Sequence, residues 1–222
     1  MLNYFLSLFL KDNCPLCQRT AENIICSYCQ QKLHLCQLNS PPEFTADNFL
    51  IFAWGKYEGN LKRAIASLKY DGNQNLGQLM GQWLGKQWLN LGYKQKYPLL
   101  TVTPIPLHSE RLKTRGFNQA ELIAKGFCQI TRYSLKTHLL KRVKNTEAMF
   151  GLSAITREKN IKKAFEIGGD FPKINLSYPV LIIDDIYTTG TTVKEAKKTL
   201  DKQGINTIGV ATFSRTKSHG YR

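Results

Sequence analysis

The residues most able to do chemistry lie in one stretch near the carboxyl end of the chain. It reads Val180-Leu-Ile-Ile-Asp-Asp-Ile-Tyr-Thr-Thr-Gly-Thr-Thr192, so two adjacent carboxylates follow an apolar run typical of a buried strand. Open α/β proteins build their sites at the carboxyl ends of such strands. We therefore expect Asp184 and Asp185 at the edge of a sheet, where carboxylates suit a diol or a Mg2+ ion.

A loop of threonines and one glycine follows the acids and leads into a predicted helix over about residues 193–203. Thr192 and Glu195 have the spacing of a capping box, and the unpaired N–H groups at a helix start attract anions. Gly190 permits a turn with positive φ and close approach of a ligand. The stretch thus describes a sugar-phosphate site, with ribose hydroxyls on the two acids and the phosphate in the loop. The loop residues are Thr188, Thr189, Gly190, Thr191 and Thr192.

Two alternatives exist for this stretch. The acids and threonines could merely cap a strand–turn–helix unit, although their density argues against that. A nucleotide-binding acid would need G-x-x-x-x-G-K-[ST] elsewhere, and the nearest string, residues 81–87, has the wrong spacing and no hydroxyl. The dinucleotide fingerprint G-x-G-x-x-G is also absent from the sequence.

A second group of reactive residues lies near the amino end, where four of the six cysteines form two Cys-x-x-Cys pairs. The pairs are Cys14 with Cys17 and Cys26 with Cys29. Two such turns complete a tetrahedral four-sulfur site that favours Zn2+, and the metal would be structural because protein fills every position. A redox pair and two disulfides are the alternatives, but a redox Cys-x-x-Cys does not come in duplicate.

The composition limits the class of protein. The 222 residues are 42% hydrophobic and 11% aromatic, which excludes a disordered chain. A net charge of +15 indicates a polyanionic partner such as nucleic acid, a phosphorylated metabolite or anionic lipid. No apolar run is long enough to span a membrane. We predict a cytoplasmic protein whose remaining cysteines, Cys36 and Cys128, are reduced and buried.

The domain organisation follows from shifts in composition. Residues 1–40 are predicted to form an N-terminal helix and zinc ribbon, the turn-rich segment 41–48 a linker, and residues 49–222 the main domain. Within the first unit, residues 1–10 are expected to form an amphipathic helix that docks on the body of the protein. An anchor at a membrane surface is the alternative for this helix.

Helices are predicted where apolar residues recur at helical spacing. One helix is defined by residues 61–68 and places Lys69 on a different face, and a second covers about residues 75–91. A third begins after Asn118, with Glu121 at the position that completes a capping box.

Strands are predicted over residues 99–103, where Pro104 ends the run, and over residues 180–183 and 205–213. A further strand is expected around residues 137–143, followed by a long loop or broken helix. The alternation of strands with helices predicts a parallel α/β sheet.

Residues 180–192 resemble the phosphoribosyl-pyrophosphate (PRPP) motif of type I phosphoribosyltransferases, and the wider chain resembles the ComF family of competence-associated proteins. The resemblance implies a type I phosphoribosyltransferase-like parallel sheet flanked by helices, with a small N-terminal zinc ribbon. Five segments carry it: the double Cys-x-x-Cys start; Tyr57–Gly72; Pro104–His108 with Arg111 and Arg115–Ala120; Arg157–Asn160 with Ala164 and Phe165; and the PRPP motif.

The resemblance also implies roles for individual residues. Asp184 and Asp185 would hold the ribose hydroxyls and, through them, Mg2+, while the threonine loop would hold the 5′-phosphate. A pyrophosphate loop would follow the first core strand, at about residues 106–109. Basic residues just beyond it would neutralise pyrophosphate, and Arg111 and Arg115 are the catalytic candidates beside the two acids. The basic residues are Arg111, Lys113 and Arg115.

The chain departs from the family pattern at one position. The family has Thr-x-x-Gln ahead of its Arg-x-x-Asn element, whereas this chain reads Thr146-Glu-Ala-Met149. If that glutamine contacts substrate, turnover is lost here; if it only orders the loop, nothing changes.

Two functions of different class follow. The first is a Mg2+-dependent transferase that binds PRPP, supported by thirteen Lys and Arg against five Asp and Glu over residues 101–168. The second is a single-stranded-DNA-handling module in which PRPP binding is regulatory or vestigial, and the resemblance would place it in natural transformation. Aromatic residues among the basic ones support the second: Phe117, Tyr133, Phe150 and Phe165. A scaffold that docks a helicase or recombination mediator through the zinc ribbon is a third possibility.

Overall fold

The computed structural model describes residues 13–145 and 161–216. The helices are α1 (Ser27–His34), α2 (Gly59–Tyr70), α3 (Gln74–Asn90), α4 (Tyr93–Lys96), α5 (Ser109–Arg115), α6 (Gln119–Thr131) and α7 (Thr191–Asp201). The strands are β1 (Glu43–Phe44), β2 (Leu50–Lys56), β3 (Thr101–Pro104), β4 (Ser134–Leu135), β5 (Leu140–Arg142), β6 (Phe165–Ile167), β7 (Val180–Tyr187) and β8 (Thr207–Arg215).

Three predictions fall outside the described residues. They concern the docking helix of residues 1–10, the departure at Thr146–Met149 and the family segment Arg157–Asn160. Within the described part of the chain, no helix is both long and apolar enough to cross a bilayer.

Six strands form one sheet in the order β1-β2-β8-β7-β3-β4. The pairing of β1 with β2 is antiparallel, and the four other pairings in this sheet are parallel. Strands β5 and β6 form a separate antiparallel pair. The predicted α/β class with a parallel sheet flanked by helices is therefore confirmed.

The four inner strands, β2, β8, β7 and β3, are buried on both faces, as crossover connections require of a parallel sheet. Alternate residues of β7 enter two different cores: Leu181 and Ile183 pack with α2, α3 and α6, whereas Val180 and Ile182 pack with α7 and the β5–β6 pair. The same alternation divides β2. Helices thus cover both faces of the sheet, and the parts left uncovered are the ends of the strands.

Helices α3 and α6 approach each other so closely that their contact has no room for a Cβ atom at two glycine positions. A Cβ built on Gly81 would lie 2.0 Å from the carbonyl oxygen of Ile123, and one built on Gly126 would lie 2.1 Å from that of Gln78. These glycines, which carry a helix penalty in isolation, are therefore explained by packing against the other helix.

Several helices and strands begin and end at residues other than those predicted. The last helix and strand are Thr191–Asp201 and Thr207–Arg215, rather than 193–203 and 205–213. The capping box of Thr192 and Glu195 was wrong: Gly190 is the N-cap, and Glu195 instead accepts from the backbone N–H of Lys163 at 2.7 Å.

The start of α6 was predicted only in part. The Asn118 side chain accepts from the backbone N–H of Ala120 at 3.1 Å and so caps the helix as predicted. Glu121 forms an ion pair with Lys125 at 2.7 Å rather than completing a capping box.

The segment before β2 has more structure than a linker composition suggests. Strand β1 lies within the predicted linker, and Gln37 forms an isolated bridge with Gly55 of β2. The domain boundaries at residues 40 and 49 stay predictions.

Candidate functional site

The carboxyl ends of β3, β7 and β8 meet at one edge of the sheet. Ile183 pairs with Pro104 of β3 and with Ala211 of β8, and its carbonyl oxygen accepts from the backbone N–H of Ile105 at 2.8 Å. The loop that leaves β3 therefore starts beside Asp184, which pairs with Thr212. Parallel strands bring the predicted pyrophosphate loop and the acid pair together at this edge.

Asp185 continues the face of β7 that carries Leu181 and Ile183, and it is buried with 5% of its surface exposed. Its Oδ2 lies 2.5 Å from the Nζ of Lys69, which comes from the last turn of α2. Burial is the largest single influence and lowers the pKa of Lys69, but the charge of Asp185, the hydrogen bond to it and the charge of Asp184 together outweigh burial, so the pKa is above its ordinary value. The pair is an ion pair of two charged side chains, largely shielded from water.

Asp184 occupies the opposite face of the strand, as alternation requires. Its Oδ1 accepts from the backbone N–H of Asp185 at 2.8 Å. Burial, together with the charge of Asp185, raises the pKa of Asp184 well above its usual range. Arg142 of β5 is close enough for the charge of Asp184 to raise its pKa, although burial and the charge of Arg111 lower it overall.

The threonine loop lies between β7 and α7. Gly190 has φ of 72° and is the residue from which the helix begins, so the first free N–H groups of α7 follow directly on the loop. The hydroxyls of Thr189 and Thr191 lie 2.7 Å apart, and Thr188 and Thr189 are exposed. Hydroxyls and helix N–H groups are the donors that bind phosphate.

The basic residues of α5 divide between the two faces of the site. Arg111 lies close enough to Arg142 to shift its pKa, whereas Lys113 is exposed. Arg115 donates to Oε1 of Gln119 at 2.6 Å, and its guanidinium lies 5.8 Å from the ring centre of Tyr70 on α2. The roles assigned to Arg111, Lys113 and Arg115 stay predictions.

Three residues near the acids were not singled out for a role by sequence reasoning. Lys69 is the partner of Asp185, Tyr57 lies near enough to both for their charges to affect its pKa, and Arg142 lies near Asp184. Helical spacing had shown only that Lys69 lies off the apolar face of α2. The signal that could have found it is its place in the family segment Tyr57–Gly72.

The four paired cysteines form the second site. One sulfur from each of Cys14, Cys17, Cys26 and Cys29 lies within 4.8 Å of the others. A metal with sulfur ligands at about 2.3 Å in a tetrahedron separates them by about 3.8 Å, so the cluster could hold a metal ion. Cys36 and Cys128 lie outside the cluster, and all six cysteines are free of disulfides.

A turn and the start of a helix position these thiols. The backbone N–H of Gln18 donates to the carbonyl of Cys14 at 2.8 Å and closes the first turn, while Cys26 is the N-cap of α1. Burial raises the pKa of Cys14, but backbone hydrogen bonds around it lower the pKa further, to about 7. Burial and hydrogen bonds with the neighbouring thiols raise the pKa of Cys29. Four clustered thiols that form no disulfide suit a metal ion, which binds cysteines as thiolates.

The aromatic residues predicted to stack on nucleic acid are core residues instead. Phe117, Tyr133 and Phe165 are buried, and Phe150 lies outside the described residues. Buried rings present no face to a base, so this part of the prediction was wrong.

No model of a protein family matches the chain. It is 35% identical over 117 residues to Competence protein F of Haemophilus influenzae, covering 51% of this chain and 49% of that relative. It is 27% identical over 206 residues to DNA utilization protein YhgH of Salmonella typhi, covering 91% and 84%. It is 28% identical over 209 residues to Competence protein ComFC of Streptococcus pneumoniae, covering 92% and 80%. The first of these matches spans about half of that relative's length.

The fold and the two sites define a mixed α/β protein with a hydroxyl-rich loop and an acid pair at the carboxyl edge of its sheet, joined to a four-cysteine module that could hold a metal ion. Its similarity to the competence and DNA utilization proteins narrows the class further. The chain is similar over about nine tenths of its length to DNA utilization protein YhgH and to Competence protein ComFC.

Proposed function

We propose that the chain binds PRPP at the carboxyl edge of the sheet and acts as a phosphoribosyltransferase-like protein in competence or DNA utilization. The observation that carries the proposal is the direct succession of an acid pair at the strand end, a hydroxyl loop and the start of α7. Asp184 and Asp185 hold the ribose hydroxyls, and Thr188, Thr189, Gly190, Thr191 and Thr192 hold the 5′-phosphate. The names of the relatives support the biological role.

The arrangement suits transfer of the phosphoribosyl group. The bond between C1 of the ribose and pyrophosphate breaks, its electron pair leaves with pyrophosphate, and a lone pair of the acceptor forms the new bond to C1. Such a reaction depends mainly on orientation and on charge placed near the leaving group. Arg111 and Arg115 on α5, beyond the loop that follows β3, supply that charge. Mg2+ bound to the pyrophosphate oxygens of the ligand would add to it.

The cysteine cluster has a structural part in the proposal. Four thiolates favour Zn2+, and a site with four protein ligands leaves no position for substrate. We place the protein in the cytoplasm, where its free thiols stay reduced. Docking of a helicase or recombination mediator on this module stays a prediction.

Calorimetric titration of PRPP with Mg2+ into the zinc-loaded protein tests the proposal. We expect the double variant Asp184→Asn, Asp185→Asn to lose at least about a hundredfold in affinity, since it replaces two charged acceptors of the ribose hydroxyls with neutral amides. The control is Asp201→Asn, which removes an acid at the far end of α7 that pairs with Lys197. A folded wild type that does not bind PRPP would refute the proposal.

A second function, binding of single-stranded DNA, is supported by a surface at the opposite edge of the sheet. The Nζ of Lys96 lies 5.0 Å from the ring centre of Phe44, 5.9 Å from that of Tyr93 and 5.5 Å from that of Tyr97. Phe44 pairs with the first residue of β2, so this cluster lies at the amino ends of the parallel strands.

The charge of this cluster suits a nucleic acid. Residues 72–109 contain three lysines and no aspartate or glutamate. Phe44 is 43% exposed and Lys96 is exposed, so a ring face and a cation are both available. Rings for base stacking beside cations for phosphates are the elements of a single-strand site.

Anisotropy of a labelled oligothymidylate, measured over a series of salt concentrations, tests this second function. We expect Lys96→Gln to reduce the slope of log affinity against log salt by about 0.7, the value for one phosphate contact on a single strand. Lys125→Gln on α6 is the charge-matched control. An affinity that does not change with salt would exclude the second function.

A further inference from the structure

We propose that Lys69 occupies the position of a metal ion beside Asp185, so that the site binds a ribose 5-phosphate group without a divalent cation on that carboxylate. The inference deepens the proposed function and rests on it for the identity of the ligand. It concerns the acid pair only, because a metal carried on the pyrophosphate of a ligand lies elsewhere.

The geometry of the ion pair carries the inference. Nζ of Lys69 lies 2.5 Å from Oδ2 of Asp185, so the ammonium group fills the space in which a divalent cation would have to contact this oxygen. The Lys69 side chain is 19% exposed and that of Asp185 is 7% exposed, so little water reaches the pair. An ammonium group at this distance excludes a cation from the same oxygen by volume and by charge.

Helix α2 fixes the lysine at this position. The apolar residues Leu61, Ile65 and Leu68 of α2 are buried in the core on the same face of the sheet as Asp185. The backbone thus delivers Lys69 towards the strand end, and withdrawing it would leave a buried carboxylate without a partner.

The charges around the acid pair are already balanced. Asp185 faces Lys69 on one side of the sheet, and Asp184 lies near Arg142 on the other. Arg111 lies near Arg142 and Arg115 lies beside Tyr70 on α2, so the surroundings add positive charge rather than negative. The positive charge already beside the two carboxylates opposes the binding of a further divalent cation there.

The first experiment measures the affinity of ribose 5-phosphate in buffer freed of divalent ions by a chelating resin, and again with Mg2+ added. Zinc-loaded protein is used throughout. We expect the wild type to have the same affinity in both buffers within about twofold. Lys69→Gln should lose about tenfold or more without Mg2+ and recover when Mg2+ is added, because one charge beside the ligand is then supplied by the metal. Lys69→Arg, which keeps the charge, should resemble the wild type.

The second experiment uses no sugar phosphate. Mn2+ is titrated into the protein and free Mn2+ is followed by electron paramagnetic resonance. We expect Lys69→Gln to gain one Mn2+ site that the wild type lacks, and the uncharged double variant Lys69→Gln, Asp185→Asn to lack it again. This double variant also tests folding, since it removes the charge that Lys69→Gln would leave buried.

The outcomes separate the two proposals. If the wild type binds neither ribose 5-phosphate here nor PRPP in the calorimetric titration, the proposed function fails, while the Mn2+ titration still decides the role of Lys69. A wild-type Mn2+ site that disappears in Asp185→Asn would overturn the inference. So would a Mg2+ requirement of the wild type, or a folded Lys69→Gln that gains no Mn2+ site.

Discussion

At the scale of single residues, Gly190 combines two constraints. Its φ of 72° lies in the left-handed region, and a Cβ at this position would lie 2.3 Å from the hydroxyl oxygen of Tyr187 and 2.7 Å from Cζ of the same ring. The tyrosine that ends β7 therefore packs against the residue that begins α7. A side chain here would therefore displace the ring of Tyr187 from the start of the helix.

Replacement of Gly190 by alanine tests both constraints. We expect Gly204→Ala, at φ of 71° with no atom within 4 Å of the added Cβ, to lose about 1–2 kcal/mol of unfolding free energy from backbone strain alone. Gly190→Ala should lose about 1–3 kcal/mol more because of the clash with Tyr187, and it should also weaken PRPP binding. Urea unfolding and calorimetry measure the two effects. Equal losses of stability in the two variants, with unchanged affinity, would contradict this account.

The candidate site could be predicted from the sequence only where its residues are contiguous. Asp184, Asp185 and the threonines are recognisable because they are contiguous, so the candidate site could be proposed without a structure. Lys69 lies more than a hundred positions before Asp185 along the chain. Its contact depends on how α2 packs against β7, which local spacing does not encode.

At the scale of elements, periodicity predicted the helices well. The apolar spacing of residues 61–68 and 75–91 corresponds to α2 and α3, whose bounds are Gly59–Tyr70 and Gln74–Asn90. The position of the start of α7 was missed because Gly190 caps it by backbone geometry, whereas the capping rule looks for a hydroxyl. Short strands such as β6, three residues long, carry too few positions for a period of two to be detected.

Strand β3 ends one residue later than predicted. Pro104 was predicted to stop the strand, but it is the last residue of β3 and pairs with Ile183. A proline can be the last residue of a parallel strand, because it lacks only the N–H donor and its carbonyl oxygen can still accept. Pro106 lies in the loop that follows β3 and not in the strand.

At the scale of the whole molecule, the cysteine module and the sheet share one core. Cys14, Cys26 and Leu33 belong to the same apolar cluster as Leu61 of α2 and Phe213 of β8. Arg63 of α2 also donates to the carbonyl oxygen of Leu16, between the first two cysteines, at 3.4 Å. The cysteine module therefore supports the helix that delivers Lys69.

Loss of the metal should thus destabilise the whole protein. We expect Cys17→Ser to release zinc and to lower the melting temperature by about 6–12 °C, which corresponds to about 3 kcal/mol in a chain of this size. Scanning calorimetry with zinc analysis measures both quantities. Cys36→Ser, outside the cluster, is the matched control and should keep its zinc. A Cys17→Ser variant with the melting temperature of the wild type would show that the module is independent of the core.

The two edge strands have a consequence for how other proteins can attach. β1 and β4 are each two residues long, whereas β7 and β8, inside the sheet, have eight and nine residues. Such short edges offer almost no row of free backbone groups on which a strand of another chain could align. Fibril growth and strand addition are therefore disfavoured at these two edges of the sheet.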